Sequence, residues 1–330
     1  MTIEEFRDEW RNPSPLMLVH TSGSTGKPKP LWVEKRRMEA SARITCSFLG
    51  LKRGDTALLC MPLDYIAGKM MAVRAEVCGL RLVTVPPSSH PMAALDEAPA
   101  FAAMVPAQVF ESLKVERERR LLRRIRHLII GGGAVDGALA DELRTFPNAV
   151  WSTYGMTETL SHIAMRRLNG REASEWYEPM AGVEVWVNGT GCLTVNAPDV
   201  CATVLATNDR AVMAEDGRRF RITGRMDNVI CSGGIKIQAE EVEQRLRPHI
   251  KTAFAITKTT DEKLGEAVVL IAENAKDIDF IRTICRQELP RYWQPRHYLS
   301  TEKLPLTGTG KPARQQTERL AQALLGNTKR

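Results

Sequence analysis

A chain of 330 residues exceeds the usual single domain of about 100–200 residues and is expected to divide into two. With 43% hydrophobic and 26% charged residues it has a globular profile, which excludes disorder, collagen and a dense disulfide scaffold. Its 46 basic side chains against 39 acidic ones leave a formal charge of +7, which favours an anionic partner without choosing among nucleic acid, nucleotide, coenzyme A and an acid substrate.

Seven dispersed cysteines (Cys46, Cys60, Cys78, Cys192, Cys201, Cys231 and Cys285) form no CxxC pair and read as reduced thiols, not a zinc framework. Glu4, Glu5, Asp8 and Glu9 stand where a signal peptide would be basic and then apolar, and no apolar run reaches the length of a bilayer span. A soluble, cytoplasmic protein without membrane insertion is expected.

From residue 16 to about 154, short apolar runs at 16–19, 56–61, 82–85, 101–105, 127–130 and 150–151 read as strands. Helix-like stretches separate them: residues 34–49 place Met38, Ala42, Cys46 and Leu49 at helical spacing, and 136–145 are rich in helix formers. Such alternation predicts an α/β fold with a mostly parallel sheet flanked by helices, whose ligands bind beyond the carboxyl ends of the strands. Past Pro179, runs at 183–187, 192–195, 201–206 and 220–222 separated by Gly-containing turns predict a small antiparallel β subdomain, as a sheet or a barrel. From Arg225 a third pattern predicts a smaller α+β C-terminal lid: helix 239–247, strands 252–257 and 267–272, and helix 278–288. Within the first of these helices Val242 and Leu246 share one face, and Glu241/Arg245 and Glu243/Arg247 are i,i+4 pairs. The domains are accordingly expected at 1–224 and 225–330.

The stretch from His20 to Pro30 follows a predicted strand and is rich in small and hydroxyl residues (Ser22, Gly23, Ser24, Thr25, Gly26), with Lys27 and Lys29 adding charge. Close backbone approach and abundant donors are what a polyphosphate cradle needs. It is not a Walker A loop, because two residues separate Gly23 from Gly26 and Pro28 stands where that motif needs its Mg-binding hydroxyl. Read alone, it has the alternative of a flexible Ser/Gly turn.

Further motifs follow in order: Tyr154 to Glu158 (Tyr-Gly-Met-Thr-Glu), Asp209, Gly224-Arg225 with Asp227, Ser232-Gly233-Gly234, and Pro305 to Lys311 (Pro-Leu-Thr-Gly-Thr-Gly-Lys). In this order the sequence resembles the adenylate-forming superfamily of acyl-CoA synthetases, peptide-synthetase adenylation domains and luciferases. The resemblance implies an ATP-dependent acid–thiol ligase that makes an acyl-adenylate and passes the acyl group to coenzyme A (CoA). It implies that Thr21, Ser22, Gly23, Ser24, Thr25, Gly26 and Lys27 hold the nucleotide's β- and γ-phosphates. Tyr154 with Gly155 would lie against adenine, Thr157 would touch the α-phosphate, and Glu158 would coordinate Mg²⁺. Asp209, in Thr-Asn-Asp where the family usually has Thr-Gly-Asp, would bind the ribose hydroxyls with Arg225 in support. Lys311 would bridge the substrate carboxylate and the α-phosphate. The lid would turn about Asp227, bringing Ser232, Gly233 and Gly234 to the thiol's path.

Residues 61–71, the glycine run containing Gly132 and Gly133, and residues 154–162 resemble the compact bacterial o-succinylbenzoate–CoA ligases of menaquinone biosynthesis. Tyr65 stands where that family often has a gating His. Lys69, Ser161 and His162 are candidates for the substrate's second carboxylate or keto oxygen, His162 being equally readable as a packed histidine. Common members carry a further N-terminal subdomain before the phosphate loop, so one side of the acyl pocket is expected to close differently or with a partner subunit. Alternatives are another aryl or short-chain acyl-CoA synthetase and a non-catalytic ATP-binding relative, with a homo-oligomer left open.

Residues 114–126 carry seven basic side chains against two acidic ones. They read as the solvated side of a helix whose Leu122 and Ile125 face inward, or as a seat for the phosphates of CoA. Few aromatics and no recognisable module argue against nucleic acid. The six tryptophans are expected as core or interface anchors, and Cys231 as a small buried residue without a nucleophilic role.

Overall fold

The computed structural model describes residues 1–20, 30–135, 137–274, 278–306 and 313–327. Thr2 caps helix α1 (Ile3–Arg11): its hydroxyl accepts from the Glu5 N–H at 3.2 Å while its own N–H donates to the Glu5 carboxylate at 2.7 Å, which satisfies two donors that a helix start leaves unpaired. Strand β1 (Leu16–His20) pairs antiparallel with β2 (Pro30–Glu34), from Leu16↔Glu34 to His20↔Pro30. This two-stranded ribbon therefore grips both ends of the predicted phosphate loop and stands outside the main sheet. Helix α2 (Lys35–Phe48) buries Met38, Ala42 and Cys46 on the face that the spacing predicts.

Next come β3 (Thr56–Leu59), α3 (Ile66–Cys78), β4 (Arg81–Thr84), β5 (Phe101–Met104), α4 (Pro106–Lys114), α5 (Glu116–Arg124), β6 (His127–Ile130), α6 (Gly137–Leu143), β7 (Ala149–Gly155), β8 (His162–Arg167) and β9 (Glu178–Pro179). They build a seven-stranded sheet in the order β4-β3-β5-β6-β7-β8-β9. The first five strands are parallel and the last two antiparallel. Alternate residues of β5 feed opposite cores, Phe101 and Ala103 on one side, Ala102 and Met104 on the other. Helices α2 and α3 cover the first core, and α4, α5 and α6 the second, as a sheet buried on both faces requires. Each fully buried Leu, Ile, Phe or Met contributes roughly 1.5–3 kcal/mol to this packing.

The basic stretch is the solvated side of α5. Leu122 and Ile125 are buried, while Arg117 donates to the carbonyls of Ala93 and Leu95, Arg119 to Glu142, Arg123 to Thr145 and Arg126 to Asp55. Asp55 precedes β3 and Thr145 precedes β7, so these arginines serve the amino ends of the strands, away from the carboxyl edge.

Strands β10 (Glu184–Val187), β11 (Cys192–Asn196), β12 (Leu205–Met213) and β13 (Phe220–Arg225) form an antiparallel sheet in sequence order. The strand expected at 201–206 starts later, because the N–H groups of Val200 and Cys201 both fold back onto the Ala197 carbonyl and make a turn there. After a short turn at Met226–Asn228 come β14 (Val229–Ser232), β15 (Ile235–Gln238), α7 (Ala239–Leu246), β16 (Phe254–Asp261), β17 (Gly265–Glu273), α8 (Ile278–Glu288), β18 (His297–Thr301) and α9 (Arg314–Asn327). The sheet runs β15-β14-β17-β16 with β18 parallel to β17, and among the described residues its core begins at Ile230.

Cys231 departs from expectation, and two tryptophans stand outside the core. Cys231 is exposed, because β14 alternates and places Ile230 and Ser232 inward. Trp32 and Trp186 are also exposed, each on the solvent side of a strand edge. All seven cysteines are free thiols. Among the described residues no helix is long and apolar enough to cross a membrane.

Candidate active site

Open parallel sheets present their ligand sites beyond the carboxyl ends of the strands, and among the described residues most of the predicted site residues converge there. Gly132 and Gly133 follow β6, and Gly132 takes φ +78°, a backbone shape that glycine adopts without strain. Tyr154 and Gly155 end β7. A Cβ on Gly155 would lie 2.1 Å from the Ser161 carbonyl, so only glycine lets β7 turn into the Thr157–Thr159 helical turn. The Thr159 hydroxyl fixes that turn by accepting from the Met156 N–H at 3.0 Å and donating to the Ser161 carbonyl at 2.8 Å. Thr157 is buried and Glu158 exposed. Tyr65, just before α3, makes a parallel bridge with His20, which places it at the foot of the predicted phosphate loop. The loop residues Thr21 to Lys27 and the C-terminal Lys311 lie outside the described residues.

The antiparallel sheet brings Asp209 to the same edge. Tyr154 donates its hydroxyl to Asp209 Oδ2 at 2.7 Å, and Arg225, paired with Asp209 across β12 and β13, donates to Oδ1 at 2.7 Å. Burial, and then the Asp209 charge, push the Tyr154 hydroxyl well above its ordinary pKa, so it stays a donor. A carboxylate has about four acceptor sites, so these two bonds leave Asp209 capacity for a diol. The Tyr154 ring packs against Phe220 at 5.3 Å and Tyr177 at 6.0 Å. Arg225 also reaches Asp227 at 3.0 Å, and Asn208 donates to Asp227 at 3.3 Å.

Ser161 and His162 belong to a buried polar cluster that the sequence does not announce. His162 is buried, with Nε2 3.0 Å from the Thr45 hydroxyl and Nδ1 3.2 Å from Ser161 Oγ. Burial, and then the charge of Arg74, hold the imidazole well below its ordinary pKa, so it is neutral. Arg74, 2% exposed on α3, donates to Ser161 Oγ at 2.7 Å and to the Thr45 hydroxyl at 3.4 Å, while its Nε has no partner. No described carboxylate pairs with it. The groups that shift it by charge are the thiols of Cys46 and Cys78, and burial lowers the guanidinium to about 10. The one available signal was a lone arginine inside the apolar run Met70 to Ala75, on a helix buried nearly all round.

Other predicted residues find different partners. Lys69 is buried and paired with Glu9 of α1 at 3.2 Å. Gly233 (φ +58°) and Gly234 (φ +83°) form the two-residue turn that joins β14 to β15, where both positions need positive φ. Ser232 faces Gly265, and the Gly233 N–H donates to the Leu264 carbonyl at 2.9 Å. Among the described residues no three His, Cys, Asp or Glu side chains gather into a metal cage. A lone exposed carboxylate such as Glu158 suits Mg²⁺, which takes one or two carboxylates and completes its shell with phosphate oxygens and water.

Comparison with known proteins agrees with this geometry. Residues 4–192 match the family model described as AMP-binding enzyme. A 2-succinylbenzoate–CoA ligase of Bacillus cereus is 25% identical over 351 residues, covering 97% of this chain and 73% of the relative. Its counterpart from Salmonella typhimurium is 27% identical over 310 residues, covering 88% and 66%. Among solved structures, an acyl-CoA synthetase (AMP-forming)/AMP-acid ligase II-like protein from Dyadobacter fermentans is 35% identical with a TM-score of 0.65, covering 97% of this chain and 93% of that one. The O-succinylbenzoate coenzyme A synthetase of Bacillus subtilis, solved with ATP and magnesium, shares the fold at 22% identity and a TM-score of 0.75, covering 91% and 69%. The chain thus spans between 66% and 73% of the two ligases matched by sequence.

Proposed function

The chain belongs to the AMP-binding enzyme family, and on that premise we propose that it is an AMP-forming acid–CoA ligase that converts o-succinylbenzoate to o-succinylbenzoyl-CoA. The observation that carries the choice of acid is Arg74. A guanidinium 2% exposed, with no described carboxylate partner and an unpaired Nε, is a costly thing to keep. A substrate with a second carboxylate supplies the missing counter-charge, and Ser161 and His162 beside it add polar contacts. A monocarboxylic acid leaves that site unmatched. The same acid is named in the relatives from B. cereus and S. typhimurium.

In this reading Asp209 and Arg225 seat the ribose, Tyr154 lies along the adenine, and Thr21 to Lys27 hold the β- and γ-phosphates. The substrate carboxylate attacks the α-phosphorus in line; its new O–P bond forms as the bond to pyrophosphate breaks. A carboxylate is already a nucleophile, so the chain supplies positioning and charge and needs no general base. Thr157 and Lys311 meet the charge that develops on the α-phosphate. Glu158 would hold Mg²⁺, which when bound neutralises phosphate oxygens. The CoA thiol then displaces AMP from the acyl-adenylate. For that step residues 225–330 would turn about Asp227, withdrawing Lys311 and presenting the Ser232–Gly234 turn to the pantetheine arm.

Pyrophosphate release measured over a panel of carboxylic acids tests the reading. The expected result is release that depends on acid and is greatest with o-succinylbenzoate. Release with simple benzoates alone would indicate another aryl-CoA synthetase, and none with any acid a nucleotide-binding relative without turnover.

A further inference from the structure

Four arginines of α5 line a cavity of about 470 Å³ on the side of the sheet where the amino ends of the strands lie. Arg117, Arg120 and Arg124 recur at helical spacing on one face above the buried Leu121, and Arg123 stands beside them. Small-ligand pockets fall in the range of about 300–1,000 Å³. The lining holds one carboxylate, Asp96, against these four guanidiniums.

The cavity gathers the charges of this stretch that lack a close carboxylate. Lys114 pairs with Glu111 at 2.8 Å, Arg119 with Glu142 at 2.7 Å, and Arg126 with Asp55, and all three basic side chains lie outside the lining. Inside it, Arg123 gives both arms to Thr145, to the hydroxyl at 2.9 Å and the carbonyl at 2.8 Å. Arg117 gives both arms to the carbonyls of Ala93 and Leu95 at 2.7 Å, and reaches the fully exposed Asp96 at 3.4 Å. Arg120 meets Glu116 at 3.9 Å with both side chains 70% exposed, and Arg124 is exposed with no carboxylate partner among the described residues. Neutral oxygens thus fix two guanidiniums without cancelling their charge, and two more are left to turn onto a ligand.

Solvation and the helix C-terminus account for an exposed arginine such as Arg124. They do not account for two guanidiniums anchored on neutral oxygens at the rim of the same concavity. Guanidinium forks match phosphate oxygens, and several together select a multiply charged anion. Nucleic acid needs an extended basic surface, whereas here the flanking charges are cancelled by Glu111, Glu142 and Asp55. We propose that this cavity binds a di- or triphosphate group, free or carried by a nucleotide, as a site additional to the one at the carboxyl edge of the sheet.

Titration calorimetry with inorganic tripolyphosphate tests the site in two variants that lose the same charge. Arg120→Gln/Arg124→Gln alters the cavity, and Lys114→Gln/Arg144→Gln alters exposed side chains outside it. One tripolyphosphate site per chain should weaken about 10- to 100-fold in the first variant and stay within about threefold in the second, since hydrogen bonds to charged groups are the strong ones. A parallel titration with ATP separates the sources: one ATP fewer per chain in the first variant assigns a nucleotide, and an unchanged number assigns free phosphate. Equal weakening in both variants would reduce the effect to overall charge and overturn the proposal. So would tripolyphosphate binding that neither variant changes, no binding by the unaltered protein, or a short DNA duplex that loses affinity in the first variant while tripolyphosphate does not.

Discussion

Tyr154, at the end of a parallel strand, donates its hydroxyl at 2.7 Å to Asp209 of the antiparallel sheet, joining two motifs 55 residues apart. The bond orients the carboxylate, and Arg225 completes its seating. Asp209→Asn removes the charge that strengthens hydrogen bonds to a ribose diol, and kcat/KM for ATP should fall about 10- to 100-fold. Tyr154→Phe should cost less, since it removes the orienting bond and leaves the acceptor. Steady-state kinetics with varied ATP checks both; an unchanged value for Asp209→Asn would place the ribose elsewhere.

Arg74→Met replaces a buried, unmatched cation by an apolar side chain of similar length. Stability in urea should hold or rise by about 1–4 kcal/mol, because the desolvation cost disappears. Activity should move the other way, with kcat/KM for o-succinylbenzoate falling by about 2–5 kcal/mol, the usual loss when one partner of a buried charge pair is removed. Turnover of benzoate, which has no second carboxylate, should barely change. An equal fall for both acids would remove Arg74 from substrate recognition.

His162 is held neutral in the folded protein, with its pKa depressed well below the ordinary 6.5. Its contribution is therefore fully present above about pH 6.5 and is lost as pH falls, because the unfolded chain then binds a proton that the folded one refuses. The slope for one such group approaches about 1.4 kcal/mol per pH unit. Urea unfolding at pH 7.5 and 5.5 should show a stability loss smaller by about 1 kcal/mol in His162→Gln than in the unaltered protein. Equal losses would mean that His162 protonates within the fold.

Lys311→Ala should abolish adenylate formation and spare thioester formation from supplied acyl-adenylate. Separate assays of the two half-reactions decide it, and loss of both to the same degree would contradict a lid that withdraws Lys311 before the second step.

Much of this was legible in the sequence because local patterns and tertiary burial agree there. Met38, Ala42 and Cys46 fall on one helical face and are buried, and the continuous apolar runs of β5 and β6 lie inside a doubly covered sheet. The motif from Tyr154 to Glu158 was readable as local structure because it is contiguous: it is one strand end and its turn. Arg74 was hidden for the opposite reason. Its partners Thr45 and Ser161 come from other elements, and nothing local distinguishes a buried arginine from one that reaches solvent. The bond of Lys69 to Glu9 was hidden likewise, since the two lie 60 residues apart. Glycines 233 and 234 are required by the hairpin turn alone, so their presence does not by itself speak for a thiol path.

Ligation of o-succinylbenzoate to CoA is tested most directly by mass spectrometry of the products after incubation with ATP, Mg²⁺, CoA and the acid. The expected products are o-succinylbenzoyl-CoA and AMP in equal amounts, with the thioester absent when ATP is omitted. ATP consumption that yields no acyl-CoA from this acid, alongside a thioester formed readily from a monocarboxylic acid, would contradict it.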